Sequence, residues 1–324
     1  MILRMIGLAL ASLLVLAAGA LWFATANIAA QAERAYPPVG SFVPLRDGKL
    51  HLVDRAASGS ARGTVLLLHG ASSNHADLLA QLGPGLSRYR VIAPDRPGMG
   101  WSDRIGGRAA ASPVFQATLM AELLERQKAG PVIVVAHSLA GVMALNLALE
   151  RPDLVRGLVL LAPVAMPWPG GIAWYYHPSS WPVIGPIFTR LVAVPAGALR
   201  LDEGAVSVFA PDPVTPGYSA RGKIGLLLRP DSFGHNAQDV AALHAQVVAQ
   251  SEHYGDIRAP TVIFHGLLDT ITSAIIHSRP LESRIPGARF LPLPTAGHMP
   301  HHVVPADILR EIDEMASAPV FASR

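Results

Sequence analysis

The stretch Pro131-Val132-Ile133-Val134-Val135-Ala136-His137-Ser138-Leu139-Ala140-Gly141 runs directly into Val142-Met143-Ala144-Leu145-Asn146-Leu147-Ala148. Its first half is a short apolar run rich in β-branched residues, the pattern of a strand buried on both faces. Its second half, rich in Ala, Leu and Met, opens a helix. Between them stands one serine with alanine two positions before and two positions after it. A sharp strand-to-helix turn needs small neighbours, because it brings backbone too close for large side chains, and it thrusts its central residue outward in a strained conformation.

The same rhythm extends in both directions. A hairpin is expected over Ser41–Arg55, turning at Asp47-Gly48. Strands are expected at Thr64–Leu68, Tyr89–Ala93, Leu158–Leu161, Thr261–Phe264 and Arg289–Leu293, with helices at Val114–Lys128, Ser273–Arg279 (interrupted by Pro280) and Ala306–Ala316. Strands alternating with helices imply a parallel sheet covered on both faces. From Val164 to about Gly255 the rhythm breaks into a stretch rich in Pro, Trp, Tyr and Gly, with short helical pieces and no clear strand.

A turn of this kind resembles the nucleophile elbow of the α/β-hydrolase family, whose pattern is G-x-S-x-G; here Ala136 and Ala140 stand at the flanking positions and Gly141 follows. The resemblance covers about residues 41–163 and 256–315. It implies a serine nucleophile, Ser138, followed in chain order by an acid and a histidine. Asp269 lies in Gly266-Leu267-Leu268-Asp269 after one strand, and His298 in Ala296-Gly297-His298 after the last, like the family's acid and histidine loops. All three fall at C-terminal ends of expected parallel strands, where open α/β sheets carry their sites. The resemblance places the oxyanion donors at the backbone N–H groups of Leu139 and Ala71, the latter after His69-Gly70. It gives His69 and His137 packing roles, and makes the Asp95–Ser102 loop, similar to D-x-x-G-x-G-x-S, structural. Asp256 competes for the acid role but precedes its strand. His301 and His302 compete with His298 but follow Pro300, and a metal site built from the three histidines is disfavoured.

The implied activity is cleavage of an ester-like bond through an acyl-enzyme, with no cofactor and no metal. A serine nucleophile disfavours the dehalogenase and epoxide-hydrolase branches, which carry aspartate there. Carbon–carbon bond hydrolysis and a non-catalytic ligand-binding protein on the same scaffold remain as alternatives.

Bulk properties narrow the partners. The chain has 324 residues, 51% of them apolar, with 28 prolines, 29 glycines and a net charge of +3. Without a basic run, nucleic acid is not expected as a partner. With no cysteine, disulfides, thiolate metal sites and a cysteine nucleophile are excluded. No charge lies between Arg4 and Glu33, and Met5–Phe23 is almost wholly apolar. About twenty such residues cross a hydrocarbon core. An uncleaved signal anchor is favoured over a cleaved signal, although Ala24-Thr25-Ala26 and Ala30-Gln31-Ala32 resemble cleavage sites; a buried core helix is the third reading. Arg4 favours the N-terminus inside, so the catalytic domain is expected outside the cytoplasm, in the periplasm if the source is Gram-negative.

The expected architecture is therefore an α/β, mostly parallel, doubly wound sheet (the α/β-hydrolase fold) with an inserted, mainly helical lid and an N-terminal transmembrane helix. Residues 1–35 form the anchor and linker, 36–163 the first part of the core, 164–255 the lid, and 256–324 the second part of the core. Trp168, Trp174, Tyr175, Tyr176 and Trp181 suit a hydrophobic substrate pocket, a lid core or a membrane-facing surface equally. The substrate-binding residues are not readable from the sequence.

Overall fold

A computed structural model describes residues 1–318 of the chain. Eight strands form one sheet: β1 (Ser41–Leu45), β2 (Gly48–Arg55), β3 (Thr64–Leu68), β4 (Arg90–Pro94), β5 (Val132–His137), β6 (Val155–Leu161), β7 (Thr261–Gly266) and β8 (Arg289–Leu293), in the spatial order β1-β2-β4-β3-β5-β6-β7-β8. β1 and β2 are antiparallel to each other, and β2 is antiparallel to β4; every later pairing is parallel. The sheet is thus the mostly parallel, doubly wound one expected from the sequence.

β3 and β5 are buried at every residue, which explains why each reads as an unbroken apolar run: helices cover both faces. The helices Pro113–Arg126 and Ala140–Glu150 close one face over Leu66, Val134 and Leu160, and Ala76–Leu82 and Pro305–Ser317 close the other over Val65, Val135 and Val159. From β3 the chain steps outward to β4, then returns to the opposite side of β3 to form β5. Ligand sites of open sheets gather where the winding reverses in this way, and the loops after β3 and β5 meet there.

Three expectations need correction. The N-terminal helix runs from Ile2 through Ala35, so the linker expected over Gln31–Gly40 is helical in its first five residues. The helix expected at Ser273–Arg279 instead occupies Ser278–Arg284; Pro280 falls in its first turn, where a missing N–H costs nothing. Between β6 and β7, the short pieces are joined by one long helix, Pro230–Gln250. That helix packs on the core through buried polar residues: Asp239 binds Arg96, and Asn236 binds Ser72.

Candidate active site

The elbow has the strain its sequence implies. Ser138 has φ of 54°, a left-handed conformation that costs a non-glycine residue about 1–2 kcal/mol. The turn is held by Ser138 N–H donating to Leu161 O at 2.9 Å, and by Gly141 and Val164 N–H donating to Ser138 O at 2.9 and 3.0 Å. Gly141 is the residue that cannot be enlarged, since a Cβ there would sit 2.6 Å from Pro163 Cβ. Ala136 and Ala140 are wholly buried, so the methyl groups that depart from the family pattern are packed without displacing the turn.

The histidine and acid loops converge on this serine. Gly266, the last residue of β7, is pressed against the histidine loop; a Cβ there would lie 2.2 Å from both Ala296 O and Gly297 O. Leu268 N–H donates to Ala296 O at 3.1 Å, tying the two loops together. As a result His298 Nε2 lies 3.0 Å from Ser138 Oγ, while His298 Nδ1 lies 2.6 Å from Asp269 Oδ2. With Nδ1–H donating to the carboxylate, Nε2 offers its lone pair to the serine hydroxyl. The backbone of His298 is clamped as well: its carbonyl accepts from His137 Nε2–H at 2.9 Å.

Asp269 is saturated with donors. Oδ1 accepts from Ile271 and Thr272 N–H at 2.7 and 3.0 Å. Oδ2 also accepts from Thr272 Oγ1 at 2.9 Å and His265 Nε2–H at 3.0 Å. Burial pushes this carboxyl up, but the hydrogen bonds and charges of His265 and His298 outweigh it and hold it well below the usual carboxylate range. Asp269 therefore stays ionised beside His298. Asp256 is exposed and lies in a turn before β7, away from this loop. His301 and His302 face Asp77, not Ser138.

The loop after β3 completes the site. A Cβ on Gly70 would lie 3.1 Å from Ser138 Cβ, so glycine lets this loop touch the elbow and brings Ala71 into the same apolar cluster as Leu139. His69 shapes the loop: its Nδ1–H donates to Gly70 O at 2.9 Å, and its Nε2 accepts from Arg96 N–H at 2.9 Å. Burial, reinforced by Arg96, pushes the His69 imidazole down to about 3, so it is neutral and fully hydrogen-bonded.

Among known proteins, the sequence pattern of the "Alpha/beta hydrolase family" matches residues 65–311. The chain belongs to the α/β-hydrolase family. Lipase LipV of Mycobacterium tuberculosis is 39% identical over 114 residues, which are 35% of this chain and 41% of that protein. The chain thus spans less than half of that lipase. Pimeloyl-[acyl-carrier protein] methyl ester esterase of Chromobacterium violaceum is 28% identical over 77% of this chain and 92% of its own length. An esterase from Exiguobacterium antarcticum superposes with a TM-score of 0.68 at 20% identity, covering 86% of this chain and all of that one, 100%; at that identity the likeness speaks to the fold alone. This α/β-hydrolase thus has lipase- and esterase-like relatives.

Several residues at the site escaped the sequence reading. His265 and Thr272 hold Asp269, Asn236 holds the Ser72 backbone N–H at 2.7 Å, and Asp239 pairs with the buried Arg96 at 2.6 Å. His265 lies four residues before Asp269, a spacing that could have flagged it. The partners from Pro230–Gln250 carry no local signal. Of the five aromatics Trp168, Trp174, Tyr175, Tyr176 and Trp181, Trp168 packs against the cluster of Leu139 and Val142 beside the elbow. Tyr175 packs with Phe188 and Phe233, while Trp174 and Trp181 are exposed.

Proposed function

We propose that this hydrolase is a serine esterase. The observation that carries the reading is the unbroken line from Ser138 Oγ through both ring nitrogens of His298 to Asp269, at 3.0 and 2.6 Å. Ser138 Oγ attacks the ester carbonyl carbon as His298 Nε2 takes its proton. Asp269 orients the ring and offsets its positive charge. The N–H groups of Leu139 and Ala71 hold the developing oxyanion. The C–O bond then breaks, and His298 returns the proton to the departing alcohol. A water molecule, deprotonated by His298, attacks the acyl carbon, releases the acid and restores Ser138.

The substrate is a hydrophobic carboxylic ester. Leu139, Val142, Val164, Leu243, Val247 and Trp168 form an apolar cluster at the elbow. The lipase and esterase names of the relatives agree with this chemistry. Residues 164–255 act as a lid over a core made of residues 36–163 and 256–324. The helix Ile2–Ala35 is long and apolar enough to cross a membrane, and its first twenty-odd residues touch little else. It serves as the anchor, with the catalytic domain outside the cytoplasm.

A fluorophosphonate probe on the full chain tests the triad. Wild type is expected to label, and Ser138→Ala to remain unlabelled. A folded wild type that resists the probe overturns the esterase reading in favour of a ligand-binding role.

A further inference from the structure

The segment after β6 carries an apolar surface that nothing among the described residues covers. The helical run Ile184–Leu199 continues through Arg200 into Leu201–Phe209 with a bend of 66°, and the pair together is as apolar as a membrane span. Val183 is 77% exposed, Ile187 51% and Leu199 88%. Trp181, Ile184 and Val192 are exposed beside them. From Trp181 to Leu199 the sole charged residue is Arg190. Soluble surfaces scatter such residues singly and rarely gather this many.

This surface sits where the N-terminal helix would leave the bilayer. Counting about twenty residues at 1.5 Å each from Ile2 reaches the far side of a ~30 Å hydrocarbon core near Leu21. Trp22 then stands at headgroup level, where tryptophan concentrates. At that height the helix grips the insertion. The Arg190 guanidinium lies 5.2 Å from the Trp22 ring centre, and Thr25 Oγ1–H donates to Arg190 O at 2.6 Å. Ile28 packs into the cluster of Ala193 and Val194 one turn further on. The helix thus places the run beside Arg190 at the height where it would leave the bilayer.

We propose that the face formed by Trp181, Val183, Ile184, Ile187, Val192 and Leu199 seats in the same lipid leaflet from which the N-terminal helix emerges. The proposal rests on that helix being a membrane anchor. A polar-flanked apolar helix lies in the interfacial plane, its side chains dipping about 5–10 Å, while Arg190 keeps its head at the surface. The seated face is also joined to the chemistry. The chain leaving Leu201–Phe209 lies on the histidine loop, where Asp212 Oδ2 accepts from Gly297 N–H at 2.8 Å and Ala210 O leaves no room for a Cβ on Gly297. The site therefore draws on esters dissolved in the bilayer, with long acyl chains.

The absence of native cysteine makes single-site labelling direct. Full-length Leu10→Cys, Ile187→Cys and Asp153→Cys proteins, each carrying an NBD fluorophore, are reconstituted in phosphatidylcholine–phosphatidylglycerol vesicles containing nitroxide-labelled lipid. Leu10 reports the anchor, and Asp153, exposed before β6, reports the far end of the sheet. Quenching at Leu10 and Ile187 but not at Asp153 is the expected result. Quenching at Leu10 alone leaves the anchor standing and overturns the seating. A blue-shifted but unquenched Ile187 probe means that protein covers the face, for instance a second copy, and overturns it too. An unquenched Leu10 removes the anchor and the proposal together. In a second arm, Val183→Glu with Ile187→Glu is expected to lower hydrolysis of a long-chain ester held in the vesicles about tenfold, roughly 1.4 kcal/mol of apparent transition-state stabilisation, while a short soluble ester is cleaved at the wild-type rate. Equal wild-type rates on both esters overturn the proposal; failure of wild type on either ester at all speaks against the esterase reading instead.

Discussion

Two buried aspartates in this molecule are held in nearly the same way, yet only one stands behind a histidine that faces a serine hydroxyl. Asp269 is bound by His265 and His298 together with the N–H groups of Ile271 and Thr272. Asp95 is bound by His51 at 2.8 Å and His75 at 2.9 Å, with the N–H groups of His75 and Trp101 each at 2.8 Å. In both, burial pushes the carboxyl up, and histidine hydrogen bonds overcome it and hold the group well below the usual range. The difference lies beyond the carboxylate. The far nitrogen of His298 meets Ser138 Oγ, whereas the far nitrogen of His51 donates to Val39 O at 2.6 Å. A carboxylate–histidine pair becomes a general-base unit only when the second ring nitrogen is left facing a hydroxyl. Otherwise it is a fastener.

The largest expected effect is at the hydroxyl itself. Ser138→Ala is expected to lower kcat on any ester substrate by about 10⁴-fold or more, with the fold intact by circular dichroism. Retained activity near wild type would place the nucleophile elsewhere and dissolve the contrast between the two aspartates.

Replacing each aspartate by asparagine divides the comparison. At Asp269 an amide would favour the wrong tautomer of His298, and a loss of roughly 10³–10⁴ in kcat is expected. At Asp95 the four donors lose their ionised acceptor in a site with no solvent, and about 3 kcal/mol of stability is expected to go, with kcat per folded molecule little changed. Chemical denaturation and active-site titration on both variants separate the outcomes. An Asp95→Asn protein of wild-type stability, or one with kcat as low as Asp269→Asn, would break the distinction. The cradle itself offers a smaller perturbation. Gly100 has φ of 49°, and a Cβ there would lie 2.0 Å from Asp95 Oδ2. Gly100→Ala is expected to cost about 1–3 kcal/mol through overpacking, read as a lower thermal midpoint.

Much of this was legible in the sequence, for a physical reason. Strands buried on both faces must be continuously apolar, so β3, β5 and β7 announce themselves. The turns at their ends must carry small or strained residues, so Gly70, Ser138 and Gly266 mark where the loops meet. The residues that hold those loops are harder to read. Asn236 and Asp239 belong to a helix whose sequence, with Gly234, His235 and Asn236 together, has weak intrinsic propensity. Asp239 ties that helix to the core through Arg96, 143 residues away. Long-range polar pairing of this kind leaves no periodic trace, and neither does the role of Thr272. Nor does sequence distinguish Trp168 from Trp181, although one packs beside the elbow and the other faces outward.

The smallest effect concerns the neutral histidines that stand near each aspartate. His277, whose Nδ1 accepts from Met166 N–H at 3.2 Å, is pushed down to about 4 by burial and by His265. His69, on the Asp95 side, is pushed down to about 3. An unfolded histidine titrates near 6.5, so between pH ~6.5 and ~4 the unfolded chain binds protons that the folded chain refuses. Stability therefore rises with pH across that window: it is fully present above the unfolded value and is lost as pH falls toward the folded values. The depressed carboxyls of Asp95 and Asp269 act in the same direction further down, where unfolded aspartate begins to protonate near 4. The thermal midpoint is expected to hold level above neutrality and to fall steadily from pH 6.5 to 4. In His277→Gln, whose amide does not titrate, that fall should become shallower while the part owed to His69 persists. A midpoint that is flat from pH 7.5 to 5 in wild type would mean that these rings gain protons without unfolding, and that the polar clusters around the two aspartates are wetter than their packing allows.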